Sequence, residues 1–232
     1  MKYSILMPYH NRLPQLQETL RSLRTWYGDR NDWEVILAVD GKSAEQIPLE
    51  RALAWNAEGL PVVRKRCLPQ KCSPVRLYNI AARIACGEFF IITNPECLHS
   101  TNVLQGLDRI FADRPEVYAV CACVAQKADG SFLQWYQHSL KRNARLHFCS
   151  ALSRENFFKA GGFDERYAEG YCWDDNDFRD SIEAAGIPTV VRDDLLVSHQ
   201  HHEKVRPGNW KALWDHNRRV YEEKWGRKAV EA

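Results

Sequence analysis

The sequence predicts a single α/β domain built around a mainly parallel central sheet. Apolar β-type runs alternate with amphipathic segments of helical length through the first 128 residues, as in consecutive βαβ units. Three of these runs end in polar residues, as expected of parallel strands that open on a common edge. The chain of 232 residues, 45% hydrophobic and 27% charged, has the size and composition of a folded domain of this class.

The predicted elements follow one another in this alternating order. The predicted strands are the runs YSILMPY, WEVILAVDG, LPVVRKRC, EFFIITN and VYAVCACVAQ. Apolar residues at helical spacing predict the intervening helices, which cover residues 13–26, 47–57, 73–87 and 104–112. Pro74 suits the first turn of the third helix, and Gly87 closes it.

The second part of the chain has a different character. Residues 129–203 are loop-rich and aromatic, with one clear β-type run, TVVRDDLLVSH, near their end. In the tail, residues 204–232, the amphipathic segment 209–226 predicts a helix that packs back onto the domain. Docking of this helix to a membrane surface or a partner is the alternative. Neither a linker nor an internal repeat divides the chain, so we treat residues 1–232 as one domain.

Composition and charge exclude several classes of protein. The net charge of +2 requires no polyanionic partner. Two basic clusters nevertheless allow one, at Arg64-Lys65-Arg66 and at Lys141, Arg142 and Arg145. No apolar run approaches the roughly 20 residues that span a bilayer, and the N-terminal MKYSILMPYHN meets a proline and a histidine too early for a secretory signal. We therefore expect a soluble, cytoplasmic protein without an integral membrane segment.

The eight cysteines do not predict a disulfide framework. None forms a C-x-x-C pair, and several lie in apolar contexts such as VCACVA. An even count alone is weak support for disulfides in a chain of this size. Free, mostly buried thiols in a reducing compartment are the expectation.

Three predicted strands end in polar residues of the kind that a ligand site needs. The first ends in PYHNR at residues 8–12, the second in Asp40-Gly41 and the fourth in Asn94-Pro95-Glu96. Ligands collect at the carboxyl ends of parallel strands. Judged alone, Asn94-Pro95-Glu96 is either an ordinary strand exit or the place where a metal and a charged ligand sit.

An acidic cluster follows Trp173, with carboxylates at Asp174, Asp175 and Asp177. One carboxylate is explained by the start of a helix running through FRDSIEAAG. Three carboxylates within four residues repel one another and raise each other's pKa, which suits a general base or a cation site. A solvated helix start is the alternative interpretation.

Three histidines, His199, His201 and His202, lie at the exit of the β-type run TVVRDDLLVSH. Strand alternation would place His199 and His201 on one face, with His202 turned away. Metal ligation and ordinary surface histidines are equally compatible with this pattern. No cysteine has zinc-finger spacing, and a carboxylate, an imidazole and substrate oxygens together would suit Mn²⁺ or Mg²⁺.

Four blocks of sequence together resemble a known family. SILMPYHNR, VILAVDG, VRLYNIAARIACGEFFIITNPE and GGFDERYAEGYCWDDNDFRDSIEAAG occur in the order found in GT-A-fold, family 2-like inverting glycosyltransferases. The last block is also similar to the acceptor-side motif of β-1,4-galactosyltransferases. The resemblance runs from about residue 3 to about residue 202, and it implies a Rossmann-like GT-A fold. Residues 1–128 would bind the nucleotide-sugar, and residues 129–203 would hold the acceptor and the catalytic residues.

The resemblance also implies roles for individual residues. The donor-binding residues would be Pro8, Tyr9, Asn11, Arg12, Asp40, Arg76, Asn79 and Asn94. Asp40 would accept a hydrogen bond from the base, usually uracil. Asp175 matches the general base, with Asp174 beside it as a second catalytic position. The acceptor-binding residues would be Trp173, Asp177 and Tyr171.

The metal-binding positions depart from the family pattern. Asn94 replaces the first carboxylate of the Asp-x-Asp motif, and Glu96 fills its last position. The resemblance implies Glu96 and His199 as ligands of Mn²⁺ or Mg²⁺, with His202 as the nearest competitor of His199. The site is either a functional variant based on Glu96 and His199 or one with lost or low metal affinity.

The function implied is metal-dependent, inverting transfer of a sugar, with a UDP-sugar as the expected donor. The acceptor would be the hydroxyl of a glycan or, as the second choice, of a hydroxylated modified base in DNA. The aromatic residues could stack on such a base, and the basic clusters permit DNA as a partner. The alternative is a protein that is not an enzyme, namely a catalytically silent module that binds a nucleotide or glycan. A nucleotidyltransferase would need a glycine-rich loop that MPYHNRLPQ lacks.

Overall fold

The computed structural model describes residues 1–41, 63–68, 72–136, 140–203 and 207–226. The helix predicted over residues 47–57 lies outside these ranges. The described strands are β1 Tyr3–Tyr9, β2 Trp33–Val39, β3 Val63–Cys67, β4 Phe89–Thr93, β5 Cys97–His99, β6 Tyr118–Gln126, β7 Phe132–Trp135, β8 Cys149–Ser153 and β9 Thr189–His199. The described helices are α1 Leu13–Tyr27, α2 Pro74–Ile84, α3 Val103–Asp113, α4 Arg154–Lys159, α5 Asp174–Ala184 and α6 Trp210–Trp225, with a 3₁₀ helix at Glu165–Glu169.

The described strands form one mixed sheet in the order β3-β2-β1-β4-β8-β6-β9-β5, with β7 paired to β6. Strands β3, β2, β1 and β4 are parallel, as the sequence predicts. The prediction of a mainly parallel sheet is confirmed only in part. In the other half β9 is parallel to β6, but β8 runs antiparallel to both β4 and β6, and β5 runs antiparallel to β9. Parallel neighbours need a long crossover, usually a helix, and the described part of residues 127–148 contains no helix between β6 and β8.

The sheet is buried on both faces, which explains the continuous apolar runs in its strands. Helices α1 and α3 cover one face, where Leu16, Leu20 and Leu107 join a core with Ile5 and Met7 of β1. Helices α2, α4, α5 and α6 cover the other face, with a second core around Leu6, Phe90 and Phe178. The layered α/β architecture predicted from the alternating elements is therefore confirmed.

Seven of the eight cysteines have described side chains, and all seven are free thiols. Five of them are buried in the cores, and Cys86 and Cys172 are exposed. Within the described ranges, no helix has both the length and the apolar composition that crossing a membrane requires.

Helix α6 packs back onto the domain, as predicted, and fixes the start of α5 from behind. Asn217 Nδ2 donates to the carbonyl oxygens of Tyr167 and Cys172, at 3.1 and 2.7 Å. Near the end of α6, Lys224 Nζ lies 2.8 Å from the carboxylate of Asp177 and 3.1 Å from Asp164. Asp177 is only 1% exposed, so its charge depends on these partners.

Replacing Lys224 with Met is expected to lower the free energy of unfolding by about 3 kcal/mol, because the substitution leaves the buried carboxylate of Asp177 without its cation. Urea denaturation measures the change. Lys211→Met is the matched control, since Lys211 is exposed on the same helix and should change stability by less than about 0.5 kcal/mol. Equal stability of the two variants would contradict this role for Lys224.

Candidate active site

The polar exits of β1, β2 and β4 lie at one edge of the sheet, as predicted. In the parallel pairing, Tyr9 is opposite Val39, and the backbone N–H of Asp40 donates to the carbonyl oxygen of Tyr9 at 2.9 Å. Strand β4 runs beside β1 in the same direction and delivers Asn94-Pro95-Glu96 to this edge. Pro8 and Tyr9 are buried at the end of β1.

The chain turns sharply after β1. Asn11 has a left-handed backbone (φ 48°), uncommon for a residue other than glycine, and its carbonyl oxygen accepts a hydrogen bond from Arg12 Nη1 at 3.0 Å. Such backbone outliers are often found at functional sites. This turn carries both predicted donor-binding side chains, Asn11 and Arg12, past the end of the strand.

Asp40 is buried, and both of its carboxylate oxygens have partners. Oδ1 accepts from the backbone N–H of Cys72 at 3.1 Å, and Oδ2 lies 2.9 Å from His10 Nδ1. His10 is half exposed, so the pair places an imidazole on the surface beside the predicted base-binding carboxylate. His10 is not among the predicted site residues, because a single histidine in a strand exit has no distinctive spacing.

Glu96, His199 and His202 converge on one point near the end of β4. Their ligand atoms all lie within 4.8 Å of one another. Oε1 of Glu96 is 3.7 Å from Nε2 of His199 and 3.8 Å from Nε2 of His202. The three residues form a cluster of two imidazoles and one carboxylate, which we call the Glu-His-His cluster.

The chain turn after β9 brings both histidines to Glu96. Strand β5, which follows Glu96, pairs with β9 so that Cys97 is opposite His199. The N–H of Gln200 then donates to the carbonyl oxygen of Glu96 at 2.9 Å. The predicted alternation of His199 with His201 is wrong, because β9 ends at His199 and strand periodicity stops there; His201 is exposed instead.

The chemistry of the cluster fits a divalent cation. Burial raises the pKa of Glu96, and the charges of His202 and Arg12 oppose this rise. A bound cation would favour the ionised carboxylate in the same way. Two imidazoles beside one carboxylate suit Mn²⁺ or another transition metal better than Mg²⁺, which prefers oxygen ligands.

Asn94 does not belong to this cluster. Its Oδ1 accepts a hydrogen bond from the buried hydroxyl of Tyr78 at 2.6 Å, and the same hydroxyl lies 3.1 Å from the carbonyl oxygen of Thr93. The side-chain oxygen through which Asn94 would ligate a metal therefore points to α2. Among the residues of the Asn94-Pro95-Glu96 triplet, Glu96 is the ligand that the structure favours.

Asp174 and Asp175 form the first turn of α5, after two residues with left-handed backbone, Cys172 (φ 61°) and Trp173 (φ 71°). Both carboxylates are half-buried. Burial, reinforced by the charge of Asp175, raises the pKa of Asp174 to about 7. Burial likewise raises the pKa of Asp175 to about 6, although Arg179 opposes the rise. Carboxylates tuned toward neutral pH are characteristic of general acids and bases.

Aromatic side chains connect the base candidate with the Glu-His-His cluster. Tyr136 stacks on the ring of His199, with centroids 5.4 Å apart and an interplanar angle of 6°. The charges of Asp175 and Glu96 both raise the pKa of Tyr78 and of Tyr136. The phenols of Tyr78 and Tyr136 therefore lie close enough to Asp175 and to Glu96 to sense both charges.

A sequence model of glycosyl transferase family 2 matches residues 4–173, which include the strand exits and the approach to α5. The chain belongs to glycosyl transferase family 2. It is a glycosyltransferase with the GT-A fold expected from the four sequence blocks. A comparison with curated proteins finds no significant match by sequence.

Solved structures of other glycosyltransferases share the fold of this family 2 chain. The mannosyltransferase PcManGT from Pyrobaculum calidifontis, in complex with GDP-Man and Mn²⁺, has a TM-score of 0.68 at 18% identity over 98% of this chain and 66% of its own. S. aureus TarS 1-349 with UDP-GlcNAc reaches 0.73 at 15% identity over 100% and 68%. GalNAc-T7 with UDP, GalNAc and Mn²⁺ reaches 0.70 at 16% identity over 88% and 44%. The family 2 chain described here thus spans about two thirds of the first two proteins and less than half of the third.

Two predicted donor-binding residues of this glycosyltransferase contact other parts of the protein. The guanidinium of Arg76 lies 3.0 Å from Glu169 and 3.6 Å from Glu165 of the 3₁₀ helix. Asn79 is buried and bonds the backbone of Phe163 through both its amide nitrogen and its oxygen. Their donor contacts stay predictions, and the structure shows them joining α2 to the segment that leads to α5.

The predicted acceptor-binding residues also face inward to different degrees. Trp173 is 4% exposed and packs on Trp214 and Tyr221 of α6. Asp177 faces α6 as well, whereas Tyr171 is half-buried at the surface, with its N–H donating to Leu213. Acceptor binding by these residues stays a prediction. Tyr171 is the one of the three that is partly exposed.

Proposed function

We propose that this glycosyltransferase is a metal-dependent, inverting enzyme that moves a sugar from a UDP-sugar to a hydroxyl of a glycan. Asp175 is the general base, and Glu96, His199 and His202 hold the divalent cation. The observation that carries the proposal is the convergence of the ligand atoms of Glu96, His199 and His202 to within 4.8 Å of one another. The half-buried Asp175, whose pKa burial raises to about 6, supports the assignment of the base.

The donor assignment rests on Asp40 at the exit of β2. Its buried carboxylate lies beside Cys72 and His10 at the strand ends, and this position supports a contact with the base of the donor. Two of the similar structures named above carry UDP or a UDP-sugar, and one carries GDP-Man. A uracil donates one N–H to an acceptor such as Asp40, and Arg12 near Glu96 adds positive charge for the diphosphate.

The cation, when bound, would neutralise negative charge on the leaving nucleotide diphosphate. The protein's own part in the reaction is carried by Asp175. The acceptor oxygen forms the new bond to the sugar carbon, the diphosphate leaves with the electron pair of the broken bond, and Asp175 takes the acceptor proton. A single attack of this kind, with no covalent intermediate, inverts the anomeric carbon.

A glycan acceptor fits the described surface better than DNA. Of the basic residues that would contact a phosphate backbone, Lys141 lies over the ring of Trp135 at 4.5 Å, and Arg142 donates to the carbonyl oxygen of Trp135 at 3.2 Å. Arg145 lies 4.0 Å from Glu183. These three basic side chains therefore contact other parts of the protein, which reduces their availability for a phosphate backbone. Tyr171 and the exposed parts of the aromatic residues suit the apolar face of a sugar ring.

Thermal unfolding with nucleotides and Mn²⁺ tests the donor and the metal together. A ligand that binds the native state at 100 times its Kd stabilises it by about 2.7 kcal/mol. We expect UDP with Mn²⁺ to raise the Tm more than either alone, and GDP with Mn²⁺ to have little effect. Release of UDP from a UDP-sugar in the presence of a glycan then separates an enzyme from a silent binding module. Nucleotide binding that is equal in EDTA would contradict the proposed metal site.

A further inference from the structure

His147 is a buried histidine that lies against the proposed base, and no motif in the sequence singles it out. The residue precedes β8 and is 4% exposed. Aromatic rings surround it: Tyr78 at 5.3 Å, Phe163 at 4.9 Å and Phe178 at 6.2 Å meet it edge to face, and Phe148 stacks at 6.2 Å. This cage holds the plane of the imidazole in one orientation.

The Nδ1 atom of His147 faces the carboxylate of Asp175. It lies 3.3 Å from Oδ1, and Nδ1 has no hydrogen-bond partner. Buried polar atoms are rarely left unpaired in folded proteins. A small rotation of Asp175 would complete this bond and leave Oδ2 as the oxygen available to a substrate.

The imidazole offers a hydrogen bond without a charge. Burial lowers the pKa of His147 to about 4, although Asp174 opposes this effect. His147 is therefore neutral at the pH at which Asp175 ionises. A lysine or arginine in its place would stabilise the carboxylate more strongly and make it a weaker base. Arg179, one turn along α5, points instead to Asp180.

We propose that His147 is a positioning residue whose neutral imidazole donates a hydrogen bond from Nδ1 to Oδ1 of Asp175 and so directs Oδ2 toward the acceptor hydroxyl. This inference rests on the proposed function, in which Asp175 takes the acceptor proton. The loop before His147 is tied to α5 a second time, because Arg179 Nη1 donates to the carbonyl oxygen of Ala144 at 3.3 Å. The next residue, Phe148, contacts His199 at 5.7 Å, so the same short segment touches the base and the Glu-His-His cluster.

Other titratable groups near Asp175 could also shape the pH dependence of the rate, so each of them has to be considered. The titratable or charged groups that face or sense it are Asp174 and Arg179 on its own helix, His147 before β8, and the phenols of Tyr78, Tyr118 and Tyr136. Burial raises the pKa of each of these phenols, so they stay protonated throughout the acid range. The acid limb of kcat/KM therefore follows the carboxylates of Asp175 and Asp174.

The test compares the pH profiles of kcat/KM for wild type, His147→Phe and His147→Asn, with Asp175→Asn assayed in parallel. His147→Phe keeps a ring in the cage and removes the donor. We expect kcat to fall at least about tenfold, the donor KM to stay within about twofold, and the acid limb to move up by about one pH unit. His147→Asn, whose amide N–H can replace Nδ1, should restore the position of the limb and most of kcat.

The outcomes separate this inference from the proposed function. An unchanged limb and kcat in His147→Phe, with Asp175→Asn inactive, would overturn the role of His147 and leave the base assignment intact. Full activity of Asp175→Asn would remove the base assignment itself. If His147→Phe does not fold, ¹⁵N NMR of the wild-type protein decides: a neutral ring protonated on Nδ1 supports the proposal, and one protonated on Nε2 overturns it.

Discussion

Replacing Asp175 with Asn is expected to lower kcat by about 1,000-fold, because general base catalysis contributes about 10²- to 10⁴-fold and an amide cannot take the acceptor proton. The donor KM should change little, since the base acts on the acceptor side. In the wild-type enzyme, kcat/KM should rise with pH through about 6, where Asp175 loses its proton, and Asp175→Asn should lose this contribution to the acid limb.

The same substitution is expected to stabilise the fold. The pKa of Asp175 is raised from its ordinary value of 3.8 to about 6, so between these pH values the folded state binds more protons than the unfolded chain. Stability contributed by the protonated carboxyl is complete below pH 4 and is lost as the pH rises through 6. Asp175→Asn should therefore raise the free energy of unfolding by up to about 3 kcal/mol at pH 8 and leave it unchanged at pH 3.5.

Asp113→Asn is the matched control for both effects, because Asp113 is exposed at the end of α3. It should change neither kcat nor the pH dependence of stability. Residual kcat within about fivefold of wild type in Asp175→Asn would contradict the base assignment, since loss of the base in the reaction should exceed this by far.

Replacing Glu96 with Gln is expected to weaken Mn²⁺ binding by at least about 100-fold, because losing even a group that supports a metal ligand costs about 10- to 100-fold. Activity at a fixed, subsaturating Mn²⁺ concentration should fall to the same extent and recover in part at high Mn²⁺. His202→Ala should behave similarly, because its Nε2 lies as close to Glu96 as that of His199 does. Titration of Mn²⁺ followed by electron paramagnetic resonance measures the affinities.

His201 supplies the control for the Glu-His-His cluster. It lies between Gln200 and His202 but is exposed and outside the cluster, so His201→Ala should bind Mn²⁺ as wild type does. If His201→Ala weakened binding as much as His202→Ala, the geometry of the turn after β9 would be wrong. If Glu96→Gln kept full Mn²⁺ affinity, Glu96 would not be a ligand.

The sequence predicted the edge of the sheet at which the site lies, and the reason is physical. Buried parallel strands read as continuous apolar runs, and the residues after each run must emerge at the carboxyl end. Asp40 and Glu96 could be placed at that edge for this reason. The start of α5 could also be predicted, because its acidic residues come directly before residues with apolar helical spacing.

The sequence did not predict the elements whose pairing depends on distant segments. Strand β8, CSALS, is short and has no alternation, and its place between β4 and β6 is decided by both neighbours. The choice of His202 over His201 depends on the chain turn after β9, because strand alternation stops at His199 and does not continue to His201. His147 is a single histidine in an apolar stretch, and only the tertiary structure brings it to Asp175.

The sequence also could not distinguish the roles of neighbouring residues in the acidic cluster. Asp177 belongs to the same acidic cluster as Asp175, and nothing local distinguishes them. The difference arises from α6, whose Lys224 and Trp225 reach Asp177 from about 50 residues away and bind its carboxylate. Asp175, on the other side of the helix turn, meets His147 and stays available for chemistry.

The proposed metal site is tested most directly by the position of the metal in crystals grown with UDP and Mn²⁺ and measured at the manganese absorption edge. We predict a single anomalous peak in contact with Glu96, His199 and His202, with the diphosphate of UDP on the side that faces Arg12. An anomalous peak at Asp174 and Asp175, or UDP bound with no peak at the Glu-His-His cluster, would contradict it.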